Sequence, residues 1–255
     1  MAQSPTVRTD LDVKANIRNL GNKITRGISF IIYADPGVGK TTLSTTLPVG
    51  ETLFINAEAG LGPLLGTGHD VFPKEGYEVD WLQDLDKLYT WLRTEKHKYR
   101  NVVIDNISDI EQRLIFALTA NHQKELPDIR EYGDAAFKLR EHITNYRDLV
   151  DIGMNVVFNA WEQTLDVHTD AGIVQTRTWP KMSRKIAPEA CGKVDIVGHL
   201  EVQEKSGKRW IRFGPSDQYV TKTQFKGLGD GEPADFPSIL DKIFDYEYGK
   251  KQEKK

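Results

Sequence analysis

Cysteine is nearly absent from this chain. The single Cys191 leaves no internal disulfide and no cysteine-built zinc site, and it reads as a small residue in a helical stretch rather than a reactive thiol. Long apolar runs are missing too. None approaches the roughly 20 residues that cross a bilayer, so no membrane association is expected. Nor does charge of one sign dominate: 34 Lys and Arg stand against 37 Asp and Glu, a formal charge of −3 that advertises no polyanionic partner. Any contact with nucleic acid must therefore be local. The opening Met1-Ala2-Gln3-Ser4-Pro5 lacks a basic segment followed by an apolar one, so no secretory signal is expected and the expected location is the cytoplasm. Internal repeats and low-complexity linkers are lacking as well, and 255 residues suit one large domain, alone or with a small appendage.

What is present is a globular composition, 39% hydrophobic and 28% charged, and one highly informative stretch from Ile28 to Thr42. There an apolar, strand-like run meets a glycine-bearing turn and then helix-compatible residues. Lys40 follows Ala34 by six positions and Thr41 comes next, which is the Walker A spacing with alanine in place of the first glycine. Gly37 and Gly39 lack a Cβ, so successive N–H groups can turn inward as an anion-binding nest. Asp35, Pro36, Gly37, Val38, Gly39, Lys40, Thr41 and Thr42 are accordingly expected to cradle ATP. Lys40 would reach the β- and γ-phosphates, and Thr41 would give an oxygen to Mg²⁺. A plain Gly/Pro turn with a solvated Lys40 is the alternative. The strand before the loop and the helix-compatible Thr41 to Leu47 after it favour nucleotide binding.

Further strands end on polar residues. Thr52 to Ala57 reads as buried, with Glu58 just past its end, where a parallel sheet faces its ligand crevice. Glu58 could there orient a water toward the γ-phosphate, or it could be a surface glutamate ahead of the glycine-rich Ala59 to Pro63. Asn101 to Ile104 closes on Asp105, a Walker B pattern in which Asp105 holds Mg²⁺ beside Thr41. The alternative is a cap for a helix begun by Asn106, Ser108 and Asp109. Met154 to Ala160 leads into Trp161-Glu162-Gln163. Asn159, with Glu162 and Gln163 behind it, is the candidate sensor of the γ-phosphate, and a structural amide is equally open.

Elsewhere the pattern predicts a flexible arm over 1–22 with a short helix around Asp12 to Leu20, a core over 23–246, and a disordered basic tail over 247–255. Val71 to Val79 reads as loop or short edge strand. Trp81, Leu82, Leu85, Leu88, Trp91 and Leu92 form the apolar stripe of a helix. Ile107 to His122 and Ala135 to Ile152 suit helices parted by Pro127 and a turn at Tyr132-Gly133-Asp134. Thr164 to Val167 and Ile173 to Trp179 suit a hairpin. Lys181, Arg184 and Lys185 then make a basic patch that could touch DNA phosphates, or simply start a solvated helix running to Gly192. Val194 to Gln203, Arg209 to Phe213 and Tyr219 to Phe225 read as strands, and Asp235 to Tyr246 as a terminal helix.

Taken in order, these segments resemble the RecA-like ATPase family, and more narrowly the phage-encoded nucleotide-binding proteins that include Sak-type single-strand annealing ATPases. The likeness spans roughly Ile28 to Leu240. Its most telling part, Phe54-Ile55-Asn56-Ala57-Glu58-Ala59, is similar to the RecA segment that ends its second strand in Asp-Ala-Glu. The strand ending in Asp105, the Pro180 to Lys185 stretch and Val194 to Gly198 also look like the phage family. The resemblance implies that Glu58 activates the attacking water. RadA-like members carry Lys-Asn-Arg-Phe-Gly late in the core, where this chain has Lys222-Thr223-Gln224-Phe225-Lys226-Gly227. Lys222 is then the implied cation acting in trans, with Gln224 where the arginine stands. Such a cation contributes about 10³ or more to turnover, so the isolated subunit is expected to hydrolyse slowly.

The expected fold is therefore α/β: a three-layer RecA-like P-loop NTPase with a mostly parallel central sheet and an antiparallel C-terminal β extension. The expected activity is Mg²⁺-dependent ATP hydrolysis by a homo-oligomer that binds single-stranded DNA and promotes annealing or strand exchange, in the host cytoplasm if phage-encoded. A single-strand DNA-binding protein is a further expected partner. Two rivals stand beside this: an ATP-switched loader without direct DNA contact, and a nucleotide or small-molecule kinase. The kinase would need an arginine-rich lid that the sequence does not display.

Overall fold

The computed structural model describes residues 26–58, 60–168, 174–203 and 206–249. The predicted arm with its short helix and the last residues of the basic tail lie outside the described residues.

A nine-stranded sheet forms the centre. Its parallel part joins β3 (Asp70–Phe72), β2 (Thr52–Asn56), β4 (Asn101–Asp105), β5 (Asn155–Ala160), β1 (Ser29–Tyr33) and β8 (Ile196–Val202), in that spatial order. An antiparallel extension follows: β9 (Arg209–Arg212) and β10 (Lys222–Thr223) pair with β8, and β11 (Gly231–Pro233) pairs with β9. A separate hairpin joins β6 (Glu162–His168) to β7 (Val174–Pro180).

Successive side chains of a strand point to opposite faces, so strands covered on both faces are apolar throughout. In β1, Ile31 and Tyr33 pack on one face while Phe30 and Ile32 pack on the other. The first face is covered by α2 (Asp84–Thr94), α3 (Ile107–Asn121), α4 (Ile129–Arg147) and α5 (Ile186–Lys193). The second is covered by α1 (Lys40–Ser44) and α6 (Phe236–Gly249), through Leu43, Phe236, Ile239 and Ile243. Three layers result, and the mostly parallel α/β architecture expected from the sequence is present. Each large apolar side chain so buried contributes about 1.5–3 kcal/mol, which fixes the strand ends that carry the polar residues.

Some boundaries differ from expectation. The predicted turn at Tyr132-Gly133-Asp134 lies inside α4. A capping box starts that helix earlier: the Asp128 carboxylate accepts from Arg130 N–H at 2.8 Å, and the Glu131 carboxylate accepts from Asp128 N–H at 2.9 Å. One interior glycine costs only about 1 kcal/mol, less than the burial of Ala135, Leu139, Ile143 and Tyr146 returns. Lys181 to Arg184 is a turn that follows β7 and leads into α5 at its N-cap Lys185, so the helix running past Gly192 starts later than the basic patch. There Gln163 Nε2 donates to the carbonyls of Pro180 and Met182 at 3.2 and 2.7 Å, and the Glu111 carboxylate accepts from Ser183 N–H at 3.0 Å. Of the predicted strand from Tyr219 to Phe225, only β10 forms, with one bridge from Tyr219 to Thr178. β11 was not foreseen, because Gly231 and Pro233 weaken a strand signal that pairing with β9 supplies instead.

Candidate functional site

β1 runs into a turn over residues 34–39 that delivers the chain to α1. Gly37 and Gly39 have φ of +81° and +110°, a region where a Cβ is costly, so this turn requires glycine at both positions. The Lys40 side chain folds back over the turn, its Nζ donating to the carbonyls of Ala34 and Asp35 at 2.9 and 3.0 Å. Burial pushes the Lys40 pKa down, and the carboxylates of Asp105 and Glu58 oppose that shift.

Because β5 lies between β1 and β4, three strand ends distant in sequence stand side by side, with Ile32 in register with Asn159 and Asn56 with Asp105. Thr41 Oγ1 donates to Asp105 Oδ2 at 2.6 Å. Asn159 Nδ2 donates to Asp105 Oδ1 at 3.2 Å and to Ser44 Oγ at 3.0 Å. Burial raises the pKa of Asp105, against the hydrogen bonds from Thr41 and Asn159 that favour its charged form. The capping role belongs to Asn106, whose Oδ1 accepts from Asp109 N–H at 2.8 Å, so Asp105 is free to face α1.

The same Asn106 holds the neighbouring strand end. Its Nδ2 donates to Glu58 Oε2 at 2.8 Å, two residues beyond β2. Arg113, on α3, donates to the Ala57 carbonyl at 3.0 Å and lies over the Trp81 ring at 5.4 Å. Glu58 borders a groove of about 760 Å³ that Leu61, Leu65, Lys74 and Trp81 also line.

Lys40, Thr41, Glu58, Asp105 and Asn159 thus converge, and the remaining expected residues lie elsewhere. Lys222 Nζ donates to the carbonyls of Gly192 and Val194 at 2.8 and 2.6 Å and closes the C-terminus of α5 within its own chain. Lys181 places its ammonium 5.0 Å from the Trp161 ring centroid, and Arg184 Nη2 donates to the Asp166 carbonyl at 3.1 Å, while Lys185 precedes α5 as its N-cap. All three are exposed beside the β6–β7 hairpin. Gln163 is occupied by the turn it braces. Glu162 Oε2 lies 2.9 Å from Nε2 of the buried His199, whose ring stacks on Tyr219 at 3.8 Å.

Residues 26–225 match the AAA domain family. This chain belongs to the AAA domain family. No curated protein matches it. An AAA domain is a nucleotide-binding domain of the P-loop type, and the matched residues include the glycine-bearing turn over residues 34–39 with Lys40 and Thr41. Among the described residues, no helix of this AAA domain is long and apolar enough to cross a membrane.

A magnesium-bound nucleotide fits these residues. Mg²⁺ takes oxygen ligands, usually one or two from protein with the rest from phosphate and water. Among the described residues no cluster of three or more His, Cys, Asp or Glu could hold a metal by itself. The hydroxyl of Thr41 and the carboxylate of Asp105 are the matching sparse set of oxygens. Ser44 and Arg113 escaped the sequence reading, and Asn106 entered it only as a residue that could begin the next helix. Only Asn106 carried a signal, as a cap residue three positions before Asp109. Ser44 and Arg113 acquire partners only through strand order and helix docking.

Proposed function

We propose that this AAA domain binds and hydrolyses ATP with Mg²⁺, and that its cycle drives annealing or strand exchange on single-stranded DNA by a cytoplasmic homo-oligomer of the phage recombination type. The observation that carries the reading is the 2.6 Å contact between Thr41 and Asp105, which joins the phosphate loop to an acid 64 residues away. Lys40 exchanges its two carbonyl partners for β- and γ-phosphate oxygens. Thr41 and Asp105 hold Mg²⁺, which when bound neutralises charge on those oxygens. Glu58, aimed by Asn106, accepts the proton of the water that attacks the γ-phosphorus. Asn159, bridging Asp105 and Ser44, reports loss of the γ-phosphate to β5 and the hairpin beyond it.

A second reading is an ATP-switched loader of a single-strand DNA-binding protein. It is favoured by the internal engagement of Lys181 with Trp161 and of Arg184 with the Asp166 carbonyl, which leaves fewer free cations for DNA. Phosphate release measured with and without single-stranded DNA, with candidate phosphoacceptors as controls, separates the readings. DNA-stimulated release supports the first. Release that responds only to a protein partner supports the loader, and transfer to an acceptor replaces both with a kinase.

A further inference from the structure

We propose that Arg209 is a phosphate-contacting residue of this chain's own nucleotide site, supplied in cis from the antiparallel edge of the sheet. The inference rests on the nucleotide-binding reading and adds a residue to it. β8 runs parallel to β1 and ends at the same edge of the sheet, and β9 returns from that edge with Arg209 in register with Val202. The first residue of β9 therefore stands beside the phosphate loop.

The contact is intimate. Arg209 Nε donates to the Val38 carbonyl at 2.7 Å. A Cβ at Gly39 would lie 2.3 Å from Arg209 Nε and 3.0 Å from Cζ, so the guanidinium occupies space that any other side chain at that position would fill. Glycine at 39 thus serves the left-handed turn and admits the arginine.

Charge completes the case. Guanidinium carries five N–H donors in a planar fork suited to phosphate, and only Nε is spent on Val38. Among the described residues the terminal nitrogens of Arg209 make no hydrogen bond, and no carboxylate pairs with it. Arg212, on the same strand, is the internal contrast: its Nη2 donates to Glu201 Oε1 at 3.1 Å and its guanidinium lies over the Tyr219 ring. Lys40 likewise hydrogen-bonds only to carbonyls among the described residues. Two cations, neither with a carboxylate in contact, flank one glycine-bearing turn, an arrangement that a polyanion completes.

The test compares the unmodified chain with Arg209→Ala, Arg209→Gln and Arg209→Lys by calorimetric titration with MgATP and with inorganic tripolyphosphate, alongside ligand-free thermal midpoints. Arg209→Ala and Arg209→Gln are expected to weaken both ligands about tenfold or more, with Arg209→Lys in between and the midpoints near that of the unmodified chain. The loss should not depend on protein concentration, because the residue acts on its own loop. Unchanged affinity in Arg209→Gln overturns the proposal. So does a loss confined to MgATP, which would place Arg209 against the base. Failure of the unmodified chain to bind either ligand overturns the nucleotide reading itself, a distinct result.

Discussion

Asn106 touches Glu58 with one end of its amide and caps α3 with the other, at 2.8 Å in both directions. One short side chain therefore couples the direction of the acid beyond β2 to the helix that follows β4. Glu58→Gln should keep MgATP binding within about twofold and slow hydrolysis by about 10² or more, the range for loss of a positioned base. Asn106→Ala should slow it less, since Glu58 remains but is no longer aimed. Single-turnover phosphate release checks both, and undiminished turnover in Glu58→Gln removes it from the mechanism.

Asp105→Asn keeps the shape of the site while removing the charge that would face Mg²⁺. Nucleotide affinity without metal should stay near that of the unmodified chain, and the gain on adding Mg²⁺ should fall at least tenfold. Titration of a fluorescent ATP analogue with and without Mg²⁺ reads the difference. A full metal-dependent gain in the variant would assign the metal elsewhere.

Lys222 closes α5 through carbonyls that would otherwise lack donors. Lys222→Ala should lower stability by about 2 kcal/mol, a shift of several degrees in thermal midpoint. If Lys222 also serves a neighbouring subunit, turnover per subunit should fall only at protein concentrations where the oligomer forms. An unchanged midpoint would show that the cap contributes nothing.

His142 supplies a pH dependence remote from the site. It is buried on α4, and burial pushes its pKa from 6.5 to about 4, against the attraction of Asp86. The unfolded chain binds this proton near pH 6.5 and the folded chain only near pH 4, so the stability held above 6.5 declines as pH falls through that interval. The loss is at most roughly 3 kcal/mol. Denaturant midpoints of His142→Leu should change less between these pH values than those of the unmodified chain, and parallel curves would refute the assignment.

Replacing Lys181, Arg184 and Lys185 together with Gln should weaken single-stranded DNA binding and flatten its dependence on salt. Fluorescence anisotropy across a salt series measures both. Equal affinity and equal slope would take DNA contact away from this face.

The glycine-bearing turn between β1 and α1 was legible because its geometry is local. Nest, lysine and hydroxyl are consecutive, and glycine is demanded by backbone angles that no longer-range contact has to supply. Glu58 and Asp105 were legible as acids ending apolar strands, since a buried run has little reason to close on a carboxylate without a partner. The turn expected at Gly133 failed because a single helix-weakening residue was outweighed by a capping box and a buried stripe on either side. The partners of Lys222 within its own chain were not legible, as they depend on where α5 ends in space.

From its own order of residues the chain determined a P-loop, its flanking strands and an α/β layering, all of which follow from hydrophobic periodicity and backbone sterics over short spans. Tertiary structure alone decided that β5 separates β1 from β4, bringing Asn159 against Asp105, that Asn106 reaches Glu58, and that Arg209 meets Gly39. Those contacts join residues tens to more than a hundred positions apart, and strand order, which no local pattern encodes, is what sets them.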